Sequence, residues 1–224
     1  MAGFYSARGR TIPPLPWPVF APPLSPGSMI SERRLMEITG LGRTPVREAV
    51  QRLERNYMVR VHPSKGIEIP ANSVEDQLSR LEVRRAIEVL AVKLACRRAT
   101  SKDIELIQKM ALALLEDFSF DAYAETIRQT HALIIDSAHN PYLEASMKPL
   151  QSLSRRFWIT HIRDEKTEVE RGKTLHREIL TAISERNAAR AEMASIALND
   201  YLVTFALSTI INNRGIGDLL HSAR

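Results

Sequence analysis

Arg43, Arg47 and Gln51 recur four residues apart, and on a helix that spacing stacks them on one face. A row of guanidinium groups can clamp phosphate or read guanine edges through paired hydrogen bonds. Further on, Pro63-Ser64-Lys65-Gly66 makes a turn whose glycine permits close approach to a neighbouring backbone. In the second half, His131 shares a helical face with Ile127 and Ile134, and His176 shares one with Ile179 and Ile183. Both imidazoles therefore point inward, and a histidine on an apolar face is most simply a hydrogen-bonded core residue. Arg84 stands four residues before Glu88, the spacing of an ion pair along one helix. Hydrolytic chemistry has no framework here: there is no Gly-x-Ser-x-Gly elbow, no His-Glu-x-x-His and no glycine-rich phosphate cradle. The single cysteine, Cys96, lies in a helical stretch beside Arg97 and Arg98 and reads as a small buried hydrophobe.

The elements that position these side chains follow from punctuation and period. Ser31 caps a short helix over Glu32 to Thr39, with Leu35 and Ile38 inward and Gly40 ending it. Thr44 caps a second helix, with Pro45 at its first position and Val46, Ala49, Val50 and Leu53 as its apolar face. After Asn56 the period changes, and Val59, Val61, Ile67 and Ile69 alternate around the turn as a short hairpin. Helix, tight turn, helix and hairpin make a winged helix-turn-helix, whose second helix enters the DNA major groove. Beyond it, helix breakers are rare and apolar periodicity marks six helices. The first runs to about Arg98 with Leu78, Leu81, Ile87, Leu90, Val92 and Leu94 available for burial, and Thr100 caps the next. The others cover about 120–138, the segment from Leu143 to Phe157, about 166–185, and 187 towards 211. The predicted class is mainly α: an N-terminal winged helix-turn-helix and a C-terminal antiparallel six- or seven-helix bundle.

Composition agrees with this division. The 224 residues, 44% apolar and 25% charged, suit one large or two small globular domains and exclude wholesale disorder. Residues 1–70 hold 10 Lys/Arg against 5 Asp/Glu, whereas residues 71–224 hold 21 of each, so the net charge of +5 belongs to the first third. A local positive field of that kind attracts polyanions. Seven of the twelve prolines fall in the first 26 residues, a stretch that cannot be helix or central strand. The expected organisation is a disordered proline-rich tail at 1–26, the winged helix-turn-helix at 27–71, the helical domain at 72–212 and a tail at 213–224. One cysteine rules out an intrachain disulfide, and prolines interrupt any N-terminal signal peptide. The longest uncharged apolar stretch, Tyr201 to Asn213, falls short of the roughly 20 residues a bilayer needs, so a soluble cytoplasmic protein with no membrane partner is expected.

The segments Pro26-Gly27-Ser28-Met29-Ile30-Ser31-Glu32-Arg33-Arg34-Leu35 and Gly42-Arg43-Thr44-Pro45-Val46-Arg47-Glu48-Ala49-Val50-Gln51-Arg52-Leu53 resemble the DNA-binding domain of the GntR family of bacterial transcription regulators. Pro63 to Gly66 resembles that family's wing. The resemblance implies that Arg33, Arg43, Thr44, Pro45, Arg47 and Gly66 meet double-stranded operator DNA. It also implies a helix ahead of Pro26, where this chain carries prolines instead. Without its first helix the small domain leaves Leu35, Val50 and Leu53 incompletely covered, unless Trp17, Val19 and Phe20 fill the gap; otherwise DNA binding is impaired.

The helical block resembles the ligand-sensing FCD domain of the FadR subfamily, through Arg84-Arg85-Ala86-Ile87-Glu88, His131 to Asn140-Pro141, and His176-Arg177-Glu178-Ile179-Leu180. Ser154-Arg155-Arg156-Phe157-Trp158 is similar to a segment of members that bind small carboxylates. The resemblance implies a homodimer with a cavity for a small organic acid effector, lined by Arg84, Asn140 and Arg155. It further implies a divalent metal held by one acidic residue and three histidines, of which His131 and His176 match. The acidic position is Ile127 and the third histidine falls on Leu198 or Asn199, neither a fit ligand, so the expectation is a cavity with little or no metal. His161 is a further imidazole in this block. The expected function is a transcription regulator whose operator binding is modulated by the acid. The alternative is a regulator remnant, defective in DNA binding, that only dimerises and binds ligand; an enzyme is not expected.

Overall fold

The computed structural model describes residues 26–221, with side chains for 26–210, and two short strands further upstream. These strands, β1 (Phe4–Tyr5) and β2 (Thr11–Ile12), pair antiparallel with Phe4 opposite Ile12, where the sequence reading expects an unpaired tail. Trp17, Val19 and Phe20 lie outside the described residues. The chain divides into two compact units, one through Asn72 and one from Ser73.

In the first unit β3 (Met29–Ile30) leads into α1 (Glu32–Thr39). The Ser31 hydroxyl caps α1 by accepting from the Arg34 N–H, and Gly40, at φ 66°, closes it. Next, α2 spans Arg43–Arg55 with Gly42 as its N-cap, two residues ahead of the expected Thr44. Pro45 thus occupies the third helical position, and a proline is tolerated throughout the first turn because those N–H groups have no intrahelical acceptor. The wing is β4 (Arg60–His62) and β5 (Gly66–Glu68), antiparallel with Val61 opposite Ile67. β3 pairs with the other side of β5, giving the order β3-β5-β4 and a third strand that the hairpin reading lacks.

Leu35, Val46, Val50, Val59, Ile67 and Ile69 close with Ile30 into one core, each no more than 5% exposed. Leu35 and Val50 are therefore covered although no helix precedes α1 among the described residues, and Leu53 is half-buried. Two positions read as inward are open to solvent. Ile38 sits 300° around the helix from Leu35 in the closing turn, and Val61 lies on an edge strand with a neighbour on one side only.

The second unit is helical: α3 (Val74–Arg98), α4 (Ser101–Ala113), α5 (Phe120–Ser137), α6 (Pro141–His161), α7 (Glu165–Ser184) and α8 (Ala188–His221). Each of α3 to α7 starts on a capping side chain, namely Ser73, Thr100, Ser119, Asn140 and Asp164. The main core joins Val92, Ile107, Tyr123, Phe157, Ile179, Leu180 and Ala206, and a second cluster joins Ala91, Leu94, Ile135, Leu143 and Met147. Leu90, expected inside, is exposed, on the one side of α3 that its neighbours leave open. α8 runs on to His221, through residues read as a tail. Its segment Ala188–Ile210, mean hydropathy 1.3, has the length and composition to cross a membrane, longer than the stretch read from the sequence. It is a bundle helix here, burying Ala191, Ala194, Leu198, Asn199, Phe205 and Ala206. Pro149 lies inside α6 and removes the N–H that would bond the carbonyl of exposed Ala145.

Candidate functional site

In the first unit the polar face of α2 is open. Arg43, Thr44, Arg47 and Gln51 are exposed and Pro45 is half-buried. Gly42 supplies no side-chain cap, so the leading N–H groups of α2 keep their hydrogen-bonding capacity for an anion. Arg47 does not hang free. Its Nε–H donates to both oxygens of Glu32 at 2.8 and 3.1 Å, bridging α1 and α2. Arg33 is anchored likewise, Nε to Glu37 at 3.1 Å. Anchoring through Nε leaves the terminal Nη fork, the part of a guanidinium that matches a guanine edge or a phosphate. At the wing, Gly66 adopts φ 118°, and a Cβ there would stand 2.9 Å from the Ile30 carbonyl oxygen, so only glycine fits.

The second unit holds a partly open cavity of about 50 Å³, where one water needs roughly 10–15 Å³. Polar groups reach it from five helices, among them Arg84, Tyr123, His131, Ser154, Arg155, His176 and Tyr201. Arg84 is buried and held by Glu88, Nη2 to Oε1 at 2.7 Å, and the same oxygen accepts from Gln151 at 3.1 Å. Arg155 makes no hydrogen bond or ion pair among the described residues. Burial, with repulsion from Arg128 and Arg84, brings its basicity down to about 10. The two histidines meet Nε2 to Nε2 at 3.2 Å, and His176 Nδ1 lies 2.8 Å from the Gly172 carbonyl. Desolvation lowers the His176 pKa to about 4, against the raising effect of that carbonyl and of Glu88. Desolvation, then His176, Arg84 and Arg155, push His131 well below the usual histidine range. Both rings are neutral at pH 7, and the carbonyl fixes the tautomers. His176 carries its proton on Nδ1 and accepts at Nε2; His131 donates from Nε2 and keeps a lone pair on Nδ1. That Nδ1, Ser154 Oγ and Glu88 Oε2 are buried without a hydrogen-bond partner.

Residues 79–200, more than half of the chain, match the FCD domain family, and residues 21–69 match the bacterial regulatory proteins of the gntR family. The chain belongs to the GntR family. It is 29% identical over 201 residues to the HTH-type transcriptional regulator LutR of Bacillus subtilis (strain 168), covering 78% of this chain and 89% of that one. Over 186 residues it is 24% identical to the HTH-type transcriptional regulator YdhC of the same organism, 80% of this chain and 81% of the relative. The solved structure of E. coli McbR/YncC shares the fold at TM-score 0.69 and 19% identity, across 84% of this chain and 90% of that one. The protein is a GntR-type transcription regulator with an FCD ligand-binding domain, and not an enzyme.

The donor set at the histidine pair of this GntR-type regulator does not fit a divalent metal ion. His131 and His176 converge, but no group of three His, Cys, Asp or Glu side chains forms anywhere among the described residues. Ile127 is apolar, Leu198 is apolar, and Asn199 Nδ2 donates to the Leu81 carbonyl at 3.1 Å. His161 is turned to its own helix, Nδ1 against the Phe157 carbonyl at 2.8 Å. Arg155, which makes no ion pair among the described residues, adds positive charge where a cation would sit.

Of the residues assigned to ligand by resemblance, Arg84 and Arg155 line the cavity and Asn140 does not. The Asn140 side chain caps α6, accepting from the Tyr142 N–H at 3.1 Å, because an asparagine beside a helix-starting proline serves the backbone first. Sequence reasoning missed Tyr123, Gln151, Tyr201 and Gly172 in this site. Gly172 carried a signal: a lone glycine within a long helical period marks a close approach, here of the Tyr123 hydroxyl. It also missed Glu32 and Glu37 as the partners of the exposed arginines.

Proposed function

We propose that two copies of this chain bind a two-fold symmetric operator in the cytoplasm through Arg33, Arg43, Thr44, Pro45, Arg47 and Gly66, and that a small organic acid in the cavity of the helical unit sets their occupancy. The observation that carries the DNA reading is the Nε-anchored Arg47 on the open face of α2, poised with its Nη fork outward. The acid reading rests on Arg155, a half-buried guanidinium in the cavity that makes no ion pair among the described residues, the nearby Glu125 being bonded to Arg128. An effector acts only through different affinity for the operator-competent and incompetent forms. Gel-shift titration in graded salt tests the reading. Arg43→Ala and Arg47→Ala are expected each to cost about 1–3 kcal/mol of discrimination between operator and random duplex. Binding that is equally tight on every duplex, before and after substitution, overturns it.

The second reading, a remnant that dimerises and binds ligand without reading DNA, is opposed by the closed core of the first unit. Hydrogen exchange across residues 30–70 separates the two: protected amides in α2 support the operator reader, and rapid exchange throughout supports the remnant.

A further inference from the structure

The charges around the cavity count to one uncompensated cation. Arg84 is cancelled by Glu88 at 2.7 Å, both histidine rings are engaged with each other, and Glu125, the acid nearest in effect to Arg155, is bonded to Arg128 at 2.7 Å. One carboxylate balances that count and two exceed it. Beside Arg155, the ring of His131 and the hydroxyl of Ser154 line the same cavity, and each carries a buried polar atom with no partner. The hydrogen-bond chain Gly172 carbonyl, His176, His131 makes His131 Nδ1 an acceptor, so it calls for a donor. An ammonium donor would add a second cation beside Arg155; a hydroxyl adds none. The cavity volume, about 50 Å³, admits only a few heavy atoms.

Building on the effector reading above, we infer that the site takes a small hydroxy-monocarboxylate without any metal ion, its carboxylate on Arg155 and its hydroxyl on the acceptor side formed by His131 and Ser154. The Arg155 guanidinium does electrostatically what a bound cation would do, and His131 and His176 act as a fixed hydrogen-bonding pair.

Calorimetric titration of the full chain, stripped with chelator and then compared with and without added zinc, tests this with 2-hydroxypropanoate, propanoate and butanedioate. The expected result is binding of 2-hydroxypropanoate to the stripped protein, unchanged by zinc and about tenfold or more tighter than either of the other acids. Arg155→Gln is expected to weaken it by roughly 30-fold or more. His131→Phe is expected to erase the preference over propanoate, with helical circular dichroism as the folding check on both variants. The wild-type zinc comparison needs no variant. Binding that appears only when zinc is restored overturns the inference while sparing the effector reading. Failure of all three acids in both states overturns the effector reading and the inference with it.

Discussion

A single hydrogen atom decides how close α5 and α7 can come at Gly172. A Cβ built there would stand 2.0 Å from the Tyr123 hydroxyl and 3.1 Å from its ring carbon, and Tyr123 is itself buried. Gly172→Ala is expected to lower the melting temperature by several degrees and to reshape the cavity, since the Tyr123 ring that lines it must shift. A melting curve equal to wild type contradicts this. The histidine pair makes a second prediction at this scale. His176 is held to about 4 in the folded protein against an ordinary 6.5. Below pH 6.5 the unfolded chain takes up a proton that the folded chain refuses, so stability is full above that pH and declines as pH falls towards 4. His131 acts in the same direction. Thermal melts at pH 7.5 and 5 check it: the lower pH gives the lower melting temperature, and an equal or higher one refutes the assignment of two neutral rings.

Elements were legible in proportion to the punctuation they carry. α1 could be read to the residue because Ser31 and Gly40 bracket it, whereas the start of α2 slipped from Gly42 to Thr44. Thr-Pro suits a cap followed by a first helical residue, but it suits the second and third helical positions equally, since no backbone hydrogen bond distinguishes them. β3 was missed because two residues hold no period, and only its pairing with β5 defines it. In the cavity, Arg84, Arg155 and the inward histidines were readable from helical faces and family likeness. Tyr123 was not, because its contact with Gly172 joins residues from different helices, and the lone glycine marks a close approach without naming its partner. The wing has its own test. Gly66→Ala places a side chain at φ 118° and 2.9 Å from a backbone oxygen, so the loss is expected at about 1–3 kcal/mol, read as a lower urea midpoint of the first unit. No change in midpoint, with operator affinity retained, contradicts that geometry.

For the whole molecule, the charge asymmetry separates two kinds of recognition. All of the net +5 lies in residues 1–70, on a unit where Arg33, Arg43 and Arg47 are exposed, while the second unit is balanced and places the half-buried Arg155 in its cavity. Operator affinity is therefore expected to fall steeply between 50 and 300 mM salt, with a log–log slope of about −0.9 for each phosphate neutralised, while acid affinity changes little. Parallel titrations by fluorescence anisotropy and calorimetry compare them, and an operator affinity flat in salt refutes the placement of the DNA-binding face. One turn of α6 is interrupted. A rod missing one rung gives way there first, and Pro149 removes the rung at Ala145, on a side where water can take the freed oxygen. Gln151, Ser154 and Arg155 all lie within two turns beyond this weak joint, so a tilt there would carry the three cavity side chains together.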